Sequence, residues 1–244
     1  MPWQKAADLP ERERMIVGVW GEQKSGKTQF ALTFPDPIFY FNFDWGMEHH
    51  LPGLRSREVF VADYLTVNPQ LTESEAESML AGFERDYGAA LKVGNGTLVI
   101  DTGTALWNLA SKVFLDDIKK KRRDGQIYPF DYANANAYFQ NLINQVKQTG
   151  MNLCLVQRAR EKYNNQGQAT GVYEAQGNNA VPYLVQVQLH LFKQADETGV
   201  VGHFGKIESC WQTSLAEGAV LENPTYASLT DLITALAGAG HAAA

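Results

Sequence analysis

The stretch GEQKSGKTQF, Gly21 to Phe30, follows directly on the apolar run MIVGVW and constrains this chain more than any other. Gly21, Gly26, Lys27 and Thr28 satisfy the pattern G-x-x-x-x-G-K-[ST], with a strand-like run before it and a helical pattern after it. The two glycines let the backbone wrap closely, so the amides of Glu22, Gln23, Lys24, Ser25, Gly26, Lys27 and Thr28 can point at phosphate oxygens, with Gln29 beside them. Lys27 is expected to reach the β- and γ-phosphates and the Thr28 hydroxyl to ligate magnesium, so the expected cofactors are ATP and Mg2+. Lys24 either touches phosphate or faces solvent.

A chain of 244 residues suffices for one large α/β domain, which at that size buries roughly 70% of its unfolded surface. Its 45% hydrophobic and 20% charged residues place it with ordinary globular domains and outside the disordered class. Cys154 and Cys210 both lie in apolar runs, which argues for core filling in a reducing compartment and against a disulfide framework or a thiolate metal site. A net charge of −6 excludes a broad nonspecific nucleic-acid coat but leaves room for a local basic loop. No run approaches the roughly 18 consecutive apolar residues of a membrane span, and MPWQKAADLPERER has no apolar core. The expectation is a cytoplasmic protein with no membrane partner.

Periodicity marks strands at 15–20, 38–43, 58–62, 97–101 and 151–157, and helices at 27–34, 72–93, after Thr102, at 133–148 and at 228–237. YLVQVQLHLFK alternates with period two, and GVVGHFGKIESCW reads as its hairpin partner. The polar, glycine-rich region 158–180 reads as a long functional loop or pair of loops. The expected fold class is therefore α/β: a mostly parallel central sheet flanked by helices, with a C-terminal antiparallel hairpin and binding sites at the carboxyl ends of the strands. One domain is expected over 15–237, between an N-terminal segment at 1–14 and a flexible tail at 238–244.

A magnesium nucleotide site also needs a carboxylate at the end of a neighbouring buried strand. Asp101, closing TLVID, supplies one and is expected to hold the metal through water. Hydrolysis further needs a group that orients and deprotonates water. Asp44, after IFYFNF, is the candidate general base, and Glu48, one helical turn on, is the reserve. Gln157 ends the fourth strand, where its amide can sense the γ-phosphate and pass its presence to the loop that follows.

Taken together, GEQKSGKT, FYFNFD, TLVIDT, LCLVQRAR and GNNAVPYLVQVQLHL resemble the RecA-like recombinase core, and more narrowly the short phage nucleotide-binding proteins of that superfamily, some of which act in single-strand annealing. The resemblance covers roughly Met15 to Gln212. It implies a Mg-dependent P-loop ATPase in which Asp44 stands in place of the family's catalytic glutamate, Asp101 binds magnesium and Gln157 couples ATP to DNA. The aspartate is one methylene shorter than glutamate, which implies slow turnover. The short N-terminal segment, without the family's polymerisation domain, implies annealing, assembly or regulation rather than strand exchange by itself.

The resemblance also implies partners: single-stranded DNA, further copies of the chain in a ring or filament, and a single-strand-binding protein. Its DNA-binding loops correspond to 158–167 and 170–179. There Arg158, Arg160 and Lys162 suit phosphates, Tyr163 offers a stacking surface, and Tyr173, Asn178 and Asn179 add polar groups. Lys206 lies where family members carry a cation given in trans to a neighbour's γ-phosphate, with His203 the weaker candidate. KKKRRDGQ at 119–126 reads as a solvated helix end, with a DNA-gathering patch as the alternative. Two other classes stay open, a small-molecule P-loop kinase and an ATPase subunit of a packaging or helicase-loading assembly. Phosphoryl transfer without DNA marks the first; nucleotide-dependent oligomers indifferent to DNA mark the second.

Overall fold

IVGVWG, TLVID and NLCLVQ are apolar without alternation, the mark of strands covered on both faces. In a computed structural model, which describes residues 5, 14–65, 70–164 and 166–242, they are adjacent parallel strands at the centre of one sheet. Along the chain come β1 (Ile16–Gly21), α1 (Lys27–Ala31), β2 (Ile38–Asn42), a 3-10 turn (Trp45–His50), α2 (Leu51–Leu54), β3 (Val59–Asp63), α3 (Glu73–Val93), β4 (Thr97–Asp101) and α4 (Gly103–Lys121). They are followed by α5 (Ala133–Lys147), β5 (Asn152–Tyr163), β6 (Ala169–Ala175), α6 (Val181–Leu184), β7 (Val187–Ala195), β8 (Val201–Cys210), β9 (Val220–Glu222) and α7 (Tyr226–Ala242).

The strand order is β3-β2-β4-β5-β1-β7-β8-β9, with β6 paired to β5 off this path. From β3 to β7 the neighbours are parallel, whereas β8 and β9 return antiparallel. This is the expected mixed α/β sheet with its C-terminal antiparallel strands. Strand alternation sends side chains to two cores. Leu98 and Ile100 join Phe83, Leu106 and Phe139 of α3, α4 and α5 on one face, while Val17, Val99 and Cys154 meet Phe30, Leu229 and Ile233 of α1 and α7 on the other. Cys154 and Cys210 are free and buried. No helix among the described residues is long and apolar enough to cross a membrane.

Helix ends follow local chemistry. Thr72 and Glu75 form a reciprocal capping box at the start of α3. The Thr102 hydroxyl accepts from the Ala105 amide at 3.1 Å and starts α4, which fixes the residue after Asp101.

The structure departs from the expectations at four points. Region 158–180 is not a pair of loops: β5 continues to Tyr163 and pairs antiparallel with β6 as an arm, Arg160 opposite Glu174 and Glu161 opposite Tyr173. Both faces of this arm are largely exposed and neither carries a run of apolar side chains alternating with polar ones, so no hydrophobic period betrays it. Cross-strand ion pairs take that place, Arg160 to Glu174 at 2.9 Å and Lys162 to Glu174 at 3.1 Å. Second, the start of YLVQVQLHLFK is a helical turn, because Pro182 suits the first turn of α6. Third, β9 is too short to show a period. Fourth, α7 continues to Ala242 through the stretch expected as a flexible tail, its alanines favouring helix beside glycines that do not. Of the flanking segments, residues 1–4, 6–13 and 243–244 lie outside the described residues.

Candidate active site

Strands β1, β2 and β4 end, and β5 runs on as the arm, at one edge of the sheet, and there the loop from Gly21 to Thr28 borders a cavity of about 690 Å³. Its volume is within the range of small-molecule sites. Glycine is required at both ends of the loop. A Cβ at Gly21 would stand 2.1 Å from the Leu191 carbonyl oxygen, and Gly26 has φ 92°. Lys27 Nζ donates to the carbonyls of Gly21 at 2.9 Å and Glu22 at 2.5 Å. Burial pulls its ammonium below the ordinary lysine range, against the opposing pull of Asp101 and Asp44. Glu22, Gln23, Lys24, Ser25 and Gln29 line the same cavity.

Asp101 is 3% exposed, and its Oδ2 accepts from Thr28 Oγ1 at 2.7 Å and from the Tyr40 hydroxyl at 2.6 Å. Burial pushes its carboxyl above the usual carboxylate range, and those two hydrogen bonds pull the other way. Thr28 and Asp101 thus place hard oxygen donors side by side at the end of the Gly21–Thr28 loop, a set that fits magnesium. Asp44 also lines the cavity. Its Oδ1 accepts from the Trp45 amide at 2.9 Å, capping the 3-10 turn, and its Oδ2 pairs with Arg158 at 2.9 Å.

Several expected positions are corrected. Arg158, expected with the nucleic-acid residues, stands in this cavity, because its place in β5 pairs it across the sheet with Gly21. Gln157, one residue earlier, faces the opposite side and does not line the cavity. It is buried, its Nε2 donates to the Gln176 carbonyl at 3.3 Å, and its Oε1 has no partner among the described residues. Glu48 is exposed and outside the lining, where the turn presents His49 and His50 instead. His203, weighed for a role in trans, lines the cavity of its own chain beside Gly26. Lys206 is exposed on β8 and outside the cavity.

Of the expected nucleic-acid residues, Asn178 is 4% exposed and holds its own turn in place, since its Oδ1 accepts from the Ala180 amide at 2.8 Å and its Nδ2 donates to the Asn136 carbonyl at 3.4 Å. Tyr163, Tyr173, Asn179, Arg160 and Lys162 are exposed. Sequence reasoning missed Tyr40, Trp45, His49, His50 and Thr104. Tyr40 carried a signal, a phenol in a buried strand two residues before its end. Thr104 carried none: its hydroxyl accepts from the Arg158 amide at 3.0 Å and donates to the Gln176 carbonyl at 2.7 Å, tying the foot of the arm to α4.

A family model described as "AAA domain" matches residues 13–216 of this chain. The chain belongs to the AAA domain family. AAA domains are P-loop ATPases, and the loop from Gly21 to Thr28 carries the G-x-x-x-x-G-K-[ST] pattern within the matched residues. Among solved structures, a KaiC-like protein from the hyperthermophilic archaeon Pyrococcus horikoshii OT3 is similar with a TM-score of 0.43 and 12% identity, over 86% of this chain and 90% of that one. No curated protein matches by sequence.

Proposed function

We propose that this AAA-family ATPase hydrolyses ATP with magnesium and couples its nucleotide to single-stranded DNA held on the β5–β6 arm, in phage-type recombination, annealing or replication. The observation that supports the coupling is the continuity of β5. One unbroken strand carries Arg158 at the phosphate cavity and Arg160, Lys162 and Tyr163 on the arm. The phage-type setting rests on the sequence resemblance alone.

Lys27 and the loop amides hold the β- and γ-phosphates, and Thr28 and Asp101 hold magnesium, which when bound neutralises phosphate charge. Asp44 orients and deprotonates the attacking water. Its partner Arg158 has a competing acceptor in a γ-phosphate, so nucleotide binding can draw the guanidinium off Asp44 and free the base. Any such shift of Arg158 acts on the arm directly, because its carbonyl accepts from the Gln176 amide at 2.7 Å where β6 ends. Lys206, outside its own cavity, is assigned the cation given to another copy's γ-phosphate in a ring or filament.

Single strands bind through aromatic faces and phosphate contacts. Tyr163 and Tyr173 offer the first, at 66% and 43% exposure. Arg160 and Lys162 offer the second, since exposed ion pairs such as theirs with Glu174 contribute little and exchange readily for phosphates. Fluorescence anisotropy with a labelled oligo(dT) tests this. Wild-type affinity should fall with salt, and Arg160→Ala with Lys162→Ala should flatten the slope of log K against log salt by about 1.4, two phosphates' worth. Equal slopes for the double variant and wild type would contradict the arm as the DNA site.

A further inference from the structure

A second cleft, of about 300 Å³, lies between the arm and the face of the sheet carried by β1, β7 and β8. Trp20, Gln188 and Glu208 form its sheet side, Tyr173 lines it from the arm, and Asn179 and Pro182 from the turn and helix α6 that follow. Gln188 is 2% exposed, yet among the described residues neither its Nε2 nor its Oε1 has a hydrogen-bond partner. A buried amide without partners destabilises a fold, and an apolar side chain of the same size would not. Its space is made by Gly18, the residue opposite it on β1, where a Cβ would come within 2.4 Å of Gln188 Oε1.

The surroundings of that amide select its ligand. Trp20 is clamped: its ring stacks on His190 with centroids 3.9 Å apart, and its Nε1 donates to Glu208 Oε2 at 2.7 Å. The charged lining groups are Glu208, Glu174 and Lys162, and the lysine is already paired with Glu174 at 3.1 Å. Two carboxylates against one ammonium leave the lining net negative, which disfavours a phosphate inside the cleft. They suit a neutral, planar ligand that donates hydrogen bonds.

We propose that this cleft takes one base of the bound single strand and prefers adenine. The Gln188 amide offers a donor and an acceptor side by side, as adenine's N7 and N6 amino group require. Glu208 adds a second acceptor for the amino group, and Tyr173 a ring face. Thymine has one donor, its N3–H, which can serve the Gln188 amide but leaves Glu208 without a donor from the base, whereas adenine's amino group has a hydrogen for each acceptor. Lys162 belongs both to this cleft and to the outer face of the arm, so a strand whose phosphates follow the arm has a base within reach of the cleft. The inference rests on the single-strand reading above.

The test compares affinities for oligo(dA) and oligo(dT) of equal length, by anisotropy at one salt concentration, for wild type and Gln188→Met. Wild type should bind oligo(dA) at least about 5-fold more tightly. Gln188→Met, of similar volume without the amide, should bind the two alike. Glu208→Ala, at an exposed position, serves as a second variant and should reduce the preference as well. Equal wild-type affinities, or a preference that survives both variants, overturn the base cleft and leave strand binding standing. Failure of both oligomers to bind wild type overturns the single-strand reading, and the cleft with it.

Discussion

Lys27→Ala is expected to lower ATP turnover by at least about 10²-fold, the scale of losing one well-placed group that stabilises transition-state charge. Lys27 is the loop's cation aimed inward: Nζ rests on the Gly21 and Glu22 carbonyls, whereas Lys24 is exposed and Arg158 is engaged by Asp44. Burial weakens its ammonium, and the nearby Asp101 and Asp44 carboxylates counter that loss. Nucleotide binding should suffer with turnover. A ligand at about 100 times its Kd stabilises a protein by about 2.7 kcal/mol. The thermal shift that Mg-ATP gives wild type should therefore largely vanish in the variant, at unchanged melting temperature without nucleotide. An equal Mg-ATP shift in both proteins would remove Lys27 from the phosphate site.

Asp101→Asn should separate stability from function. Turnover should fall by about 10²-fold, because the carboxylate beside Thr28 is lost from the proposed magnesium position. The fold should gain. Burial raises the Asp101 carboxyl in the folded chain, so the stabilisation gained on protonation is fully present below the unfolded carboxylate pKa, about 3.9, and is lost as pH rises through the higher folded value. At neutral pH the buried ionised form therefore costs stability. Asparagine carries no such charge and keeps an oxygen that can accept from Thr28 and Tyr40. Melting curves should show the variant above wild type at neutral pH, with the gap narrowing as pH falls toward about 4. A variant that melts lower at neutral pH and still turns over ATP would contradict both parts of this argument.

The two residues were legible for different reasons. The phosphate loop is local, since GEQKSGKT places its glycines, lysine and threonine by sequence distance alone. Asp101 was nearly as plain, because an apolar strand must be buried and its last residue must emerge at an edge. Arg158 and Gln157 were misplaced because their roles depend on which strand neighbours β5 and on which face each side chain takes. Register decides that: opposite Gly21, Arg158 enters the cavity and Gln157 turns to Gln176. The arm escaped notice because charge pairs rather than apolar alternation hold it together. Asn178 shows the converse error. A polar residue in a glycine-rich stretch reads as free to bind, whereas here it caps its own turn. Gln188 drew no attention in a strand with one wetter face, and only its burial without partners singles it out.

The nucleotide cavity and the arm, on the function proposed, are coupled through β5. The most direct measurement is ATP hydrolysis with magnesium, with and without single-stranded DNA, at fixed low salt and beside the Lys27→Ala control. Coupling predicts that DNA raises turnover in wild type and that the control shows no such rise. Equal turnover with and without DNA would contradict the coupling and leave an ATPase driven by something other than a single strand.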